Sequence, residues 1–199
     1  MSNNICIVGK GESLLSKTLG QAIDQHDKII RVNNLPDFSN KTNIGTKTTI
    51  FSTRCKIKLH KHIKIIPSDC KNLWVCLEKE KNNVSDICSE NNNLKPNYIT
   101  EEELNYIRLK FPNFLNLLLL RDDKTRGFCM PDTGITTILL AIIRFPENVI
   151  NVCGFDLYKF NNKNIYETKS NASLFLTPVL QQIIIYKNLI KNKIINELI

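Results

Sequence analysis

Glycines and small polar residues stand in this chain at four places where an apolar run gives way to a turn. The first is Gly9-Lys10-Gly11-Glu12-Ser13, directly after Ile5–Val8. Two glycines let a backbone approach a phosphate closely, Ser13 supplies a hydroxyl, and Lys10 adds positive charge. The turn lacks the third glycine of the dinucleotide fingerprint and the lysine pattern of a P-loop. A tight βα turn with a solvated lysine fits it equally well. The second place is Arg31-Val32-Asn33-Asn34. An asparagine amide both donates and accepts, so Asn33 suits a base or a ribose; the plain alternative is a loop asparagine in left-handed geometry. The third is Asp132-Thr133-Gly134, which opens a long apolar stretch. Asp132 or Thr133 can cap a helix there, with free N–H groups aimed at an anion. The fourth is Gly154-Phe155-Asp156-Leu157-Tyr158. Asp156 suits a ribose hydroxyl or a sugar, or it closes a turn. An open α/β sheet binds anionic ligands at such strand-to-helix turns.

The elements that must hold these turns alternate along the chain. Strands are expected at Ile5–Val8, Lys28–Val32, Thr48–Phe51, Leu73–Leu77 and Val149–Cys153. The continuous apolar run Phe114–Leu120 reads as a central parallel strand buried on both faces. Helices are expected over Ser13–Gln25, from Thr100 to about Phe111, over Thr133–Phe145 and over Leu180–Ile199. Thr100 and Glu103 have capping-box spacing. Asn82–Pro96 is polar and reads as a surface loop, and Trp74 as half-buried. Alternating strands and helices predict an α/β class with a Rossmann-like, mostly parallel sheet and flanking helices. At 199 residues and 42% hydrophobic, the chain is long enough for one domain, 1–199.

A net charge of +8 favours an anionic partner: a nucleotide, an acidic glycan or nucleic acid. No Lys/Arg run exceeds a pair, which argues against a nucleic-acid arm. The seven cysteines form no C-x-x-C pair, and the odd count suggests a reducing compartment and no zinc site. No run of 18 apolar residues occurs, so no membrane span is expected. Met1-Ser2-Asn3-Asn4 leads straight into a strand, so the expected location is cytoplasmic and the sequons at Asn40, Asn83 and Asn171 are expected to be unused.

The order of these segments resembles the sialyltransferases. Cys6-x-Val8-Gly9, His26-Asp27, Arg31-x-Asn33-x-x-Pro36 and Gly45-Thr46-Lys47-Thr48-Thr49 look like the large sialylmotif of the animal-type enzymes, glycosyltransferase family 29. Pro131-Asp132-Thr133-Gly134 through Gly154-Phe155 looks like the small sialylmotif. Gly154–Tyr158 is also similar to the matching stretch of the bacterial family 42 enzymes. The resemblance implies a GT-A-variant, Rossmann-like fold. It implies a CMP-sialic acid donor bound without a metal or other cofactor, and inverting transfer to a hydroxyl of a glycan acceptor. Donor-binding positions carry over to Gly9, Lys10, Gly11, Ser13, Asn33, Asp132, Thr133, Gly134, Gly154, Phe155 and Asp156. Lys10 stands where the family has an asparagine near the nucleotide phosphate.

The departures concern the acceptor half. The family places a general-base histidine after the small motif, often in His-x-x-x-x-Glu spacing. This chain's histidines are His26, His60 and His62, all before it. Thr177 and Gln182 occupy the nearest matching spacing, and neither titrates near neutrality. Glu167, beside Tyr166, is the candidate substitute base. Loss of a general base costs roughly 100- to 10,000-fold in rate. The family also joins its motifs by a disulfide; Cys6 takes the first cysteine's place and Phe145 the second's, so no bridge is expected. Three interpretations follow: an active sialyltransferase-like enzyme, a nucleotide- or glycan-binding relic of that fold without turnover, and an unrelated Rossmann-like protein. Motif order argues against the last.

Overall fold

A computed structural model of the protein describes residues 3–33, 40–54, 66–77, 83–89, 94–111, 132–156 and 172–198, with positions 59, 63 and 79 between them. Among these, seven strands form one sheet: β1 (Asn4–Val8), β2 (Lys28–Val32), β3 (Ile50–Thr53), β4 (Asn72–Val75), β5 (Lys95–Tyr98), β6 (Val149–Cys153) and β7 (Asn196–Glu197). Their order is β5-β4-β3-β2-β1-β6-β7, with every neighbouring pair parallel. β1, β2 and β3 are almost entirely buried, as strands covered on both faces must be. The chain steps outward from β1 to β5, then returns to lay β6 on the other side of β1. The topological switch point therefore lies between β1 and β6, the place where open α/β sheets form their ligand crevice.

The helices are α1 (Gly20–Asp24), α2 (Lys41–Ile44), α3 (Ser85–Ser89), α4 (Glu101–Lys110), α5 (Thr133–Arg144) and α6 (Ala172–Lys191). The largest core cluster joins β1, β2 and β6 to α4, α5 and α6 through Ile7, Ile30, Val152, Leu104, Leu139 and Leu189. α5 is buried from Thr133 to Ala141, which explains its unbroken apolar sequence.

Several sequence expectations are corrected. Ser13–Gln25 is not one helix: a 3-10 turn over Glu12–Ser16, with Leu15 58% exposed, precedes the short α1. Gly20 opens α1 against the Lys41 carbonyl, where a side chain would collide. The expected loop 82–96 contains α3 and the start of β5. Trp74 is buried rather than half-buried, clamped between Arg144 and Phe145. The terminal helix stops at Lys191, and Asn196–Glu197 form an edge strand. Phe114–Leu120 lies outside the described residues.

Thr100 caps α4 through the capping box read in the sequence, with Glu103 returning the bond. Glu103 also takes Arg144 in a two-pronged ion pair at 2.7 and 3.0 Å. Burial works against the Glu103 carboxylate, but bonds from Arg144 and Thr100 outweigh it and hold its pKa below the ordinary value. A carboxyl depressed in the folded state stabilises above its unfolded pKa and loses that contribution as pH falls through its folded one. Arg144→Met is expected to cost about 1–3 kcal/mol near neutral pH. The deficit should shrink below about pH 4. Thermal unfolding midpoints measured against pH check both the size and the convergence.

Candidate active site

The turns after β1 and β6 are built into each other. Gly9 N–H donates to the Cys153 carbonyl and Gly11 N–H to the Gly154 carbonyl, both at 2.8 Å. A Cβ on Gly9 would overlap the Gly154 carbonyl, and one on Gly11 would overlap the Asp156 carboxylate. That carboxylate accepts from the Ser13 backbone N–H at 3.0 Å and from the Ser13 hydroxyl. Ser13 and Asp156 are therefore partners of each other, fastening the 3-10 turn to the end of β6. Lys10 stands exposed between the two glycines.

The rest of the first block is scaffold. Arg31 is 1% exposed and sends its guanidinium to the Lys47 carbonyl, the Thr48 hydroxyl and the Ile44 carbonyl. Asp24 receives the backbone N–H groups of Thr46 and Lys47. Gly45, at φ 68, passes so close to Asp24 that a Cβ would strike the carboxylate. The Gly-Thr-Lys-Thr stretch is thus wrapped around one buried cation and one anion. His26 is 8% exposed. Its Nδ1 faces the carbonyls of Ala22 and Ile23, and its Nε2 meets the Asn151 amide at 2.9 Å. Those partners assign the hydrogen to Nδ1 and make Nε2 an acceptor. Both nitrogens of His26 are thus engaged in the scaffold.

Asn33 ends β2 in left-handed geometry, φ 64, and its N–H donates to the Ser52 carbonyl at 2.7 Å. Its side-chain Oδ1 is buried without a hydrogen-bond partner. The Ser52 hydroxyl bonds the Thr137 hydroxyl at 2.7 Å, and Thr137 donates onward to the Thr133 carbonyl at 2.6 Å. This short chain ties the Asn33 turn to the first turn of α5. Asp132 caps α5 by accepting from Ile135 N–H at 2.8 Å, while its own N–H donates to Gln182 Oε1 at 2.6 Å. Phe155 lies against Gly134, where a Cβ would come within 2.9 Å of the ring. It also stacks on Tyr186 of α6 at 6.0 Å between ring centres. The ends of β1, β2 and β6 and the start of α5 thus share one edge of the sheet. The N-terminal, positive end of α5 lies at that edge, while the N–H groups of Gly9, Gly11, Ser13 and Asn33 are spent within the scaffold.

The glycosyltransferase family 29 (sialyltransferase) model matches residues 3–175. The chain belongs to that family. Over 43 residues it is 49% identical to the mouse type 2 lactosamine alpha-2,3-sialyltransferase and 46% identical to the human one. The matched stretch is 22% of this chain and 13% of each of those proteins' length. The crystal structure of a mammalian sialyltransferase superposes with a TM-score of 0.64 at 14% identity, covering 99% of this chain and 69% of that one. A mammalian sialyltransferase in complex with Gal-beta-1-3GalNAc-ortho-nitrophenol gives 0.63 at 13% identity with the same coverage. These likenesses establish a sialyltransferase fold.

Membership overturns the cytoplasmic expectation, because the family's curated relatives are Golgi-lumenal enzymes. Neither ground for that expectation reports a compartment. The cysteines Cys6, Cys70, Cys76, Cys88 and Cys153 are buried, where a thiol acts as a small hydrophobe whatever the surroundings. The first residues of a chain matching only part of its relatives do not settle what precedes them. The inference that the sequons stay unused loses its basis with it. No helix among the described residues is long and apolar enough to cross a membrane.

In this family 29 chain, Gly9, Gly11, Ser13, Asn33, Asp132, Thr133, Gly134, Gly154, Phe155 and Asp156 gather at one edge, with Lys10 at its tip. Tyr166 and Glu167, the proposed substitute base, lie outside the described residues, as do His60, His62, Asn34 and Pro131. Phe145, in the place of the family's second cysteine, stacks on Trp74 at 5.7 Å. Cys6 instead meets Cys153, with the sulfurs 3.9 Å apart. Register sets Cys153 opposite Val8 and Asn151 opposite Cys6, so the two thiols are diagonal neighbours. Their shared hydrogen bond and burial push the Cys6 thiol far above its ordinary pKa, which rules it out as a nucleophile. Ser52, Thr137 and Tyr186 escaped the sequence reading. The last carries a readable signal, since Gln182 and Tyr186 are four apart on one helix face.

Proposed function

We propose that this chain binds a CMP-linked sialic acid at the shared edge of β1, β2, β6 and α5, and transfers the sugar with inversion, without a metal, to a glycan hydroxyl. The observation that carries this reading is the buried, unpartnered Oδ1 of Asn33 beside the capped start of α5. A ribose hydroxyl or an amino group of the base would satisfy that acceptor, and the N–H groups at a helix start suit a phosphate. Lys10 adds a mobile positive charge at the rim. The matching mouse and human relatives are lactosamine alpha-2,3-sialyltransferases by name, which supports a sialic acid donor and a galactose-containing acceptor.

A second reading has its own support: a donor-binding relic without turnover. His26 is locked into the scaffold, and Asp132 and Asp156 are committed to capping Ile135 and Ser13. His26, Asp132 and Asp156 are therefore all engaged in the scaffold, and none of the three is left over for a base. Calorimetry with CMP and CMP-sialic acid comes first. Binding is expected, and its absence up to about 1 mM ligand removes both readings. Release of CMP from CMP-sialic acid then separates them. Turnover abolished by Glu167→Gln establishes the substitute base, and binding without turnover establishes the relic.

A further inference from the structure

β2, β3, β4 and α5 share one apolar cluster, with Ile30, Val32, Ile50 and Trp74 from the strands and Ile135, Ile138 and Leu139 from the helix. Apolar contact is non-directional, so by itself it does not fix how far a helix slides along a sheet. Three polar side chains are fully buried at the same interface: Ser52 in β3, Thr137 on α5 and Cys76 just beyond β4. Their hydrogens can be assigned. The Thr133 carbonyl only accepts, so Thr137 donates to it at 2.6 Å. The Thr137 oxygen then accepts from the Ser52 hydroxyl at 2.7 Å, and the Ser52 oxygen accepts the Cys76 S–H at 3.3 Å. Burial raises the Cys76 pKa, so the thiol keeps that hydrogen. Each hydroxyl both donates and accepts, and a satisfied buried network holds one arrangement.

Ser52 has a second attachment. Its backbone carbonyl accepts the Asn33 N–H at 2.7 Å. One residue therefore grips both halves of the site: its main chain holds position 33, and its side chain holds the first turn of α5. Resting on the donor site proposed above, we propose that Ser52 and Thr137 are positioning residues. Their hydroxyl link sets the spacing between the Asn33 side chain and the start of α5, so that one nucleotide engages both. A spacing fixed before binding saves the cost of ordering it in the complex. Neither hydroxyl reaches the ligand in this scheme, since both residues are 0% exposed. A valine at position 137 would suit the apolar cluster and would leave the helix unlocked.

Thr137→Val and Thr137→Ser separate positioning from packing. Valine keeps the branched shape and loses the hydroxyl; serine keeps the hydroxyl and loses the methyl group. In Thr137→Val, CMP binding should weaken about fivefold, roughly the effect of one hydrogen bond. In Thr137→Ser, the thermal midpoint should fall by about 2–4 °C while CMP binding stays within twofold of wild type. A purely structural role predicts instead that binding follows the melting temperature in both variants. In an Asn33→Gly background, Thr137→Val should weaken CMP binding less than twofold further, because the spacing no longer matters once one of the two contacts is gone. CMP binding within twofold of wild type in Thr137→Val overturns the proposal, as does a fivefold further loss in the Asn33→Gly background. If Thr137→Val does not fold, Ser52→Ala removes the same link from the strand side and is read in the same way. Wild-type protein that binds no CMP defeats the donor site itself, whereas wild-type binding that survives loss of the hydroxyl link defeats only the positioning role.

Discussion

Gly9→Ala is expected to lower stability by about 3 kcal/mol or more, seen as a large drop in the urea midpoint. The reason is the obstacle rather than the size of a methyl group. The new Cβ would enter the Gly154 carbonyl oxygen, and that oxygen belongs to the backbone at the end of β6. Gly154 itself, at φ 69, adopts a left-handed backbone, and the space where its own Cβ would stand is filled by Leu14. Relief requires β1 and β6 to part, which breaks the 2.8 Å bonds from Gly9 and Gly11 that close the switch point. Gly11→Ala meets the Asp156 carboxylate, a side chain, and should cost less, about 1–2 kcal/mol, mainly through the displaced Ser13 bonds. Lys10→Ala, between the two glycines but exposed, should stay within about 0.5 kcal/mol of wild type. A Gly9→Ala protein as stable as Lys10→Ala would mean that the turns are not interlocked.

The sequence makes some of this legible and hides the rest for identifiable reasons. β1, β2 and β6 are mostly buried, so apolar residues dominate each, interrupted by Arg31 in β2 and Asn151 in β6, and the glycines that follow β1 and β6 mark the turns. α5 announces itself by Asp132 before a run of isoleucines and leucines. β5 is hidden because it is an edge strand: its side chains are half exposed, and Pro96 within it suggests a loop although an edge tolerates proline. β7 is two exposed residues whose neighbours anchor it, Ile195 in the core and Leu198 through its N–H to the Val152 carbonyl. At the candidate site the residue types are readable but the pairings are not. Asp156 reads either as a sugar or ribose ligand or as a turn-closing residue; its bond to Ser13, 143 positions away, is what the sequence does not display. Arg31 and the Gly45–Thr48 stretch read in the sequence as parts of the large-motif resemblance. They are one structural block, a buried guanidinium collecting the carbonyls of the loop that follows. Asn33 has the left-handed geometry of its plain alternative, together with a side-chain oxygen that no protein group satisfies.

Asn33→Gly is expected to leave the free protein at least nearly as stable while weakening CMP binding by about 5- to 150-fold. The backbone bond from position 33 to the Ser52 carbonyl survives the change, since it uses only the N–H. Glycine adopts φ near 64 without strain, whereas an asparagine tolerates it and an alanine does not. Removing the side chain also removes a buried oxygen that no group in the free protein satisfies, a relief of about 1–3 kcal/mol. Against this stands about 0.4–1 kcal/mol from the greater freedom of glycine in the unfolded chain. The balance lies near zero or on the stabilising side, so the melting temperature should hold or rise. Binding has no such compensation, because the ligand hydrogen that would reach Oδ1 is left unpaired in the complex. Asn33→Ala should bind equally poorly but be less stable by about 1–2 kcal/mol, the cost of left-handed backbone for a residue with a Cβ. A residue that costs the empty protein stability and repays it only when ligand arrives is the signature of a binding group. Calorimetry and thermal unfolding on the same two variants measure both sides of that exchange. Loss of stability in Asn33→Gly with unchanged CMP affinity would assign the side chain to the scaffold instead.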